Sequence, residues 1–270
     1  MRILVFGASG ATGKLVVSQL VSKNISVRII IRPTAIIPSE ISEHTNVEIV
    51  RGNIHEFSMD QISALINDCD AVVSCLGHNL TFKGIFGKPH QLVFNTVKKI
   101  TDVWSTAQNK KKFVLMSTTG YTNKAHGEKE TFGENVVFSL LKLLLPPHTD
   151  NVNSGDYLFD RVKDSKQLEW VAVRPDSLID EERVSEYEIV DTRKRSPIFD
   201  AGKTSRIIQK ISLDQSDWYA VHLRGDYGDR GRLIRRLSNR KADRHVILIH
   251  DYQGNMTAER LWEYEKQKEL

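Results

Sequence analysis

Gly7, Gly10 and Gly13 stand three residues apart in Gly7-Ala8-Ser9-Gly10-Ala11-Thr12-Gly13, directly behind the apolar run Ile3-Leu4-Val5-Phe6. The run reads as a buried strand, and Lys14 to Leu20 reads as a helix. A strand, a glycine-rich turn and a helix N-terminus make a site for a pyrophosphate. Glycine accepts positive φ and lets a ligand approach the backbone closely. The helix start adds unpaired N–H donors and a partial positive charge. Gly7, Ser9, Gly10, Ala11, Thr12 and Gly13 therefore form the candidate cradle, and the ligand it implies is a nicotinamide dinucleotide.

The ends of the later apolar runs supply the remaining candidates. An NAD site commonly closes its second strand with an acid that takes the ribose 2′-hydroxyl. This chain has Ile29-Ile30-Ile31-Arg32-Pro33 there. The guanidinium of Arg32 is always charged and offers a planar fork of donors, which suits a 2′-phosphate. The expected cofactor is NADP, with NAD as the alternative. Asn53, beside Ile54, can face an adenine through its amide. Lys14 can reach a phosphate or lie on the helix surface. Leu76 and Gly77 fall after the fourth run, Ser117 and Thr118 after the fifth, and Arg174 after the sixth. A hydroxyl at Ser117 or Thr118 can hold a substrate carbonyl or the nicotinamide amide, although it is a poor acid. Histidine titrates near neutrality, so His78 is a candidate proton donor or a hydrogen-bonding residue. The other eight histidines, His44, His55, His90, His126, His148, His222, His245 and His250, show no ligand-like grouping, and no metal site is expected. A Cys75 nucleophile beside His78 is conceivable, but the thiol reads as a small buried side chain.

These residues need elements to hold them. Ile25 to Ile31, Val47 to Val50, Ala71 to Cys75, Phe113 to Met116 and Trp170 to Val173 read as further strands. Ser58 can cap a helix carrying Ile62, Leu65 and Ile66. Val93, Val97, Ile100 and Trp104 mark one face of another helix. Strands rich in β-branched residues alternating with helices predict an α/β fold, a Rossmann-like doubly wound parallel sheet with helices on both faces. Ligands of such sheets bind outside the carboxyl ends of the strands. The apolar run Val136 to Leu145 is interrupted by Lys142, stops at Pro146-Pro147 and is too short to span a bilayer.

The 270 residues can bury one large core, alone or with a small appendage. A hydrophobic share of 40%, a charged share of 27% and a net charge of +4 are ordinary for a soluble globular chain and give no reason to expect nucleic acid or membrane as a partner. Two cysteines beside one strand make a disulfide framework implausible and point to a reducing, cytoplasmic setting. The chain opens on the cofactor strand itself, so no signal peptide is expected before it.

Taken together, these residues resemble the short-chain dehydrogenase/reductase superfamily, and within it the atypical NmrA-like branch of NAD(P)-binding proteins. The resemblance rests on Gly7 to Gly13, on Arg32-Pro33, and on Val171-Ala172-Val173-Arg174-Pro175. Gly77-His78-Asn79, Gly84-Ile85-Phe86-Gly87, Leu144-Leu145-Pro146-Pro147-His148, Trp170 to Asp180 and Gly202 to Arg206 are similar to a subgroup of it. The match covers residues 1–207, expected as an NAD(P)-binding Rossmann-like domain with substrate-side insertions. Residues 208–270 do not match and are expected as a divergent charged segment, a lid or small appendage. Arg224, Arg230, Arg232, Arg235, Arg236, Arg240, Lys241 and Arg244 cluster there, interspersed with Asp226, Asp229 and Asp243, and read as a solvated or self-associating surface.

The resemblance implies a nicotinamide site and leaves the substrate open. Many members of the superfamily use a tyrosine as proton donor with a lysine four residues later. That pair is missing here. Tyr121 has Lys124 one residue short, and Tyr157 is followed by Arg161 at the right spacing, so Tyr157 joins Ser117, Thr118 and His78 as a catalytic candidate. Two functions follow. One is an NADPH-dependent oxidoreductase passing hydride to a small carbonyl, quinone or flavin-like acceptor. The other is a non-catalytic NADP(H) sensor acting through a protein partner or through homo-oligomers. Sugar-nucleotide epimerisation normally needs the tyrosine and ranks third.

Overall fold

The computed structural model describes residues 1–78, 81–118, 120–124, 127–175, 187–190, 193, 196, 198–199 and 206–212. Its strands are β1 (Arg2–Phe6), β2 (Ser26–Ile31), β3 (Val47–Arg51), β4 (Ala71–Ser74), β5 (Lys111–Met116), β6 (Leu168–Pro175), β7 (Tyr187–Val190) and β8 (Arg206–Ser212). They lie in one sheet in the order β3-β2-β1-β4-β5-β6-β8-β7. The first six are parallel, and the order reverses between β1 and β4. That reversal is the topological switch point of a Rossmann-like sheet, where such folds bind ligands.

The six parallel strands agree with the pattern of the sequence. The edge beyond β6 does not: β8 runs antiparallel to β6, and β7 pairs parallel with β8. The parallel sheet therefore carries a two-strand antiparallel extension. Position 207 lies inside β8, so residues 208–212 belong to the sheet. Asn79, Thr119, His126, the segment 176–180, the stretch 202–205 and everything from 213 to 270 lie outside the described residues.

Among the described residues seven α-helices flank these strands: α1 (Ala11–Ser22), α2 (Ser39–Ser42), α3 (Met59–Ile66), α4 (Phe82–Phe86), α5 (Leu92–Trp104), α6 (Phe132–Leu144) and α7 (Pro146–Tyr157). Side chains alternate across a strand, so each strand feeds two cores. Ile3, Val5, Val27, Ile29, Ile31, Val73 and Val114 pack with Val16, Val17 and Leu20 of α1. Leu4, Phe6, Ile30, Val72, Phe113 and Leu115 pack with Ile62 and Ile66 of α3 and with the α5 face. Val93, Val97, Ile100 and Trp104 are all buried, as their spacing requires. Ser58 and Thr131 each start a helix with a capping box, reciprocated by Gln61 and Glu134. Among the described residues no helix is long and apolar enough to cross a membrane.

Trp104 is one of the largest fully buried side chains. Replacing it with alanine removes an indole from the core beneath β5. Trp104→Ala should lower unfolding free energy by about 3–5 kcal/mol in a urea titration. A loss below 1 kcal/mol would mean that α5 is not seated as described.

Candidate nucleotide site and the groups around it

The glycine turn is built by close approach. Gly7 has φ +72°, and a Cβ there would run into the Cys75 carbonyl at the end of β4. A Cβ on Gly13 would run into the Gly7 carbonyl. Any larger residue at either place pushes α1 off the sheet. The Gly10 amide donates to the Gly7 carbonyl at 2.9 Å and closes the turn. Gly10 is also the N-cap of α1, with no side-chain cap and no acidic residue in the first turn. The helix therefore presents its first amides, beginning at Ala11, without a capping group of its own. Ser9 and Thr12 are half-buried beside it, and Ala11 is exposed. This arrangement fits a phosphate.

To one side lie β2 and β3. Arg32 is exposed just past the end of β2. Arg51 ends β3 in register with Ile31 and donates to the Pro33 and Ala35 carbonyls, both at 3.2 Å. A second guanidinium thus stands at the neighbouring strand end, a residue that pattern reading passed over. Its signal was its place at the close of a strand. Asn53 turns its amide to Glu56 at 3.1 Å, within a short helical turn that starts at Ile54.

To the other side lie β4 and β5. Leu76 is half-buried, and among the described residues nothing lies within 4 Å of where a Gly77 Cβ would stand. Ser117 is buried, its amide donates to the Val173 carbonyl at 2.8 Å, and its hydroxyl has no partner among the described residues. Thr118 accepts from the Gly120 amide at 3.2 Å. Gly120 lies against the His148 ring, which stacks on Phe138 with centroids 5.8 Å apart. Burial, then the Lys142 charge, lower the His148 pKa.

His78 enters this region with a fixed partner. Its Nε2 lies 2.8 Å from Oδ2 of Asp150 on α7. That carboxylate is fully buried, and it also accepts from the Val93 amide at 2.8 Å and the Phe94 amide at 2.9 Å. Asp150 therefore caps α5 from another helix while it holds His78. Sequence reading missed it, because the pair is 72 residues apart in the chain.

Two expected site residues are placed elsewhere. Arg174 is fully buried, not on the cofactor face. Its two terminal nitrogens reach Glu128 at 2.8 and 2.6 Å, and one also donates to the Tyr121 carbonyl at 2.6 Å. Glu128 further accepts from the Asn123 and Arg193 amides, both at 2.7 Å. Arg193 donates in turn to Glu134 at 3.2 Å. The position of Arg174 at a strand end is real, but its charge is spent pinning the β5–α6 connection to the sheet. Tyr157 packs edge-on to Phe94, and its hydroxyl donates to Asp102 at 3.3 Å. Asp102 lies nine residues along α5 from Val93, about 13 Å at 1.5 Å per residue. The Tyr157 hydroxyl thus points away from the strand-end face. Burial pushes the Cys75 thiol up to about 12, so it is protonated at neutral pH and no nucleophile. Among the described residues no three His, Cys, Asp or Glu side chains gather as a metal site.

Over residues 7–207 the sequence matches the NAD(P)H-binding family, and the chain belongs to that family. No curated protein matches it in sequence. Among solved structures it is similar to the oxidoreductase ylbE from Lactococcus lactis, at 17% identity over 70% of this chain and 78% of that one, with a TM-score of 0.49. It is similar to WbmH of Bordetella bronchiseptica, an enzyme solved with NAD+, at 16% identity over 64% and 55% of the two chains, with a TM-score of 0.45. It is also similar to a UDP-glucose 4-epimerase from Thermotoga maritima, at 13% identity over 65% and 56%, with a TM-score of 0.49. The family match makes the ligand a nicotinamide cofactor.

The buried ion pair makes a pH prediction. Burial alone would raise the Glu128 pKa, but hydrogen bonds and charge from Arg174, with the two backbone amides, bring it below the ordinary 4.5. A depressed folded value means the stabilisation is fully present above about 4.5 and is lost as pH falls through the folded value. Glu128→Gln should lose about 3–5 kcal/mol at pH 7, because it leaves Arg174 buried without its counter-charge. Its stability should also vary less with pH than wild type below pH 5. Parallel urea curves for the two proteins across that range, keeping the same gap at every pH, would contradict the pairing.

Proposed function

We propose that the protein is an NADPH-dependent oxidoreductase that delivers hydride to a small organic acceptor, a carbonyl, quinone or flavin-like compound. The observation that carries this reading is the uncapped glycine turn at the switch point of the sheet. It continues across open Gly77 toward Ser117 and His78. Gly7, Ser9, Gly10, Ala11, Thr12 and Gly13 would hold the pyrophosphate, and Leu76 and Gly77 would let the nicotinamide half lie along the strand ends. When bound, the cofactor supplies the hydride. The protein supplies position: Ser117 and Thr118 offer hydroxyls to an acceptor oxygen or to the carboxamide, and His78 offers a proton.

NADPH is favoured over NADH by Arg32, with Arg51 beside it. Both would meet a 2′-phosphate by charge-assisted hydrogen bonds, each worth about 1.5–3 kcal/mol. In fluorescence titrations Arg32→Ala should weaken NADPH binding by roughly tenfold or more and leave NADH binding nearly unchanged. Equal losses for both cofactors would overturn the NADP assignment.

The enzyme reading has its own test. Gly10→Asp places a carboxylate where the phosphate belongs, and aspartate is itself a good N-cap. The variant should fold normally and bind no NADPH. Wild type should oxidise NADPH with at least one member of a panel of quinones, flavins and aldehydes. If wild type binds NADPH yet oxidises it no faster than Gly10→Asp with every acceptor, the protein is not an oxidoreductase.

A further inference from the structure

We propose that the acceptor is an aldehyde or ketone, and that Asp150 is the positioning residue that makes His78 its proton donor. This rests on the oxidoreductase reading above and narrows it. The Asp150 carboxylate meets three nitrogens: those of the Val93 and Phe94 amides and Nε2 of the His78 ring. Two are backbone donors that cannot change role. The carboxylate sits at the positive end of α5 and accepts from both amides. The ring nitrogen facing it, Nε2, must therefore carry hydrogen. That leaves Nδ1 as the nitrogen that gives up and regains a proton, and Nδ1 has no partner among the described residues. The ring has little freedom to turn, since only 5% of the side chain is exposed.

The surroundings select the acceptor. Gly77, next to His78, leaves open space, and the buried Ser117 hydroxyl at the neighbouring strand end lacks a partner among the described residues. A hydroxyl and an imidazolium suit an oxygen that gains charge. Quinones and flavins can take their proton from water after reduction. A simple carbonyl forms a strongly basic alkoxide, and a positioned acid lowers that barrier by about 10²–10⁴-fold in rate. In the step, the carbonyl π pair moves to oxygen as carbon receives the cofactor's hydride. The oxygen takes the proton from Nδ1, the N–H pair stays on the ring, and the ring regains a proton from solvent.

The test compares two acceptors and one spectrum. With NADPH, wild type should reduce 4-nitrobenzaldehyde and the quinone menadione. Asp150→Asn and His78→Gln should each lower the aldehyde-to-quinone ratio of kcat by about 100-fold, with NADPH affinity within a few-fold of wild type. A merely structural role would lower both rates together and leave the ratio unchanged. Without cofactor, proton NMR of wild type should show a low-field, slowly exchanging imidazole N–H, absent from His78→Gln and moved upfield in Asp150→Asn. Reduction of the quinone but not the aldehyde, an unchanged ratio in both variants, or no such proton would overturn this inference alone. A wild type that binds NADPH and reduces neither compound would overturn the oxidoreductase reading and this one with it.

Discussion

The closeness of α1 to β1 governs the strand-end face. Gly13 sits against the Gly7 carbonyl, and Gly7 takes a positive φ against the end of β4. No side chain fits into either contact. The consequence is a helix start held at the switch point with its amides aimed outward and no capping group of its own. Everything proposed for cofactor and acceptor depends on that geometry. Burying Val16, Val17 and Leu20 against the sheet keeps the helix there. The turn is thus anchored to the packed core through Gly13, while Gly10 and Ala11 stay exposed.

Charge is handled differently at the two levels of the molecule. Arg174, Glu128, Arg193 and Glu134 form a buried chain that fastens the β5–α6 connection to the sheet. Every charge in it is matched, which is the condition for burying charge at all. Arg32 lies past a strand end, where water screens it. An exposed guanidinium adds little to stability. Its value lies in what can be placed against it. Asp150 stands between these cases: it is buried, and it is met by two backbone amides and an imidazole ring instead of a guanidinium.

Much of the fold was legible because periodicity is a local signal. The runs behind β1 to β6 and the α5 face at Val93, Val97, Ile100 and Trp104 reported their own burial. The strands β8 and β7, which both run antiparallel to β6, were not legible from a rule that expects helical crossovers. The site divides in the same way. Gly7 to Gly13 are legible as a turn that opens a helix, and Arg32 as a residue past a strand end, because both are local features. Arg174 shows the limit: a strand-end position does not say which way a side chain turns, and Glu128, 46 residues earlier, decides it. Tyr157 and Arg161 share the expected spacing, but the phenol's direction is set by Asp102 on another helix. Asp150 carries no local mark at all. Its role exists only once α7 packs across the start of α5.

The central claim is that the first amides of α1 bind the cofactor's phosphates. The most direct measurement is a ¹H–¹⁵N spectrum recorded as NADPH is added. The amides of Gly10, Ala11, Thr12 and Gly13 should show the largest shifts, with those after β4 at Leu76 and Gly77 following. Saturable binding that moves none of these amides, or that moves a different part of the molecule instead, would contradict the account.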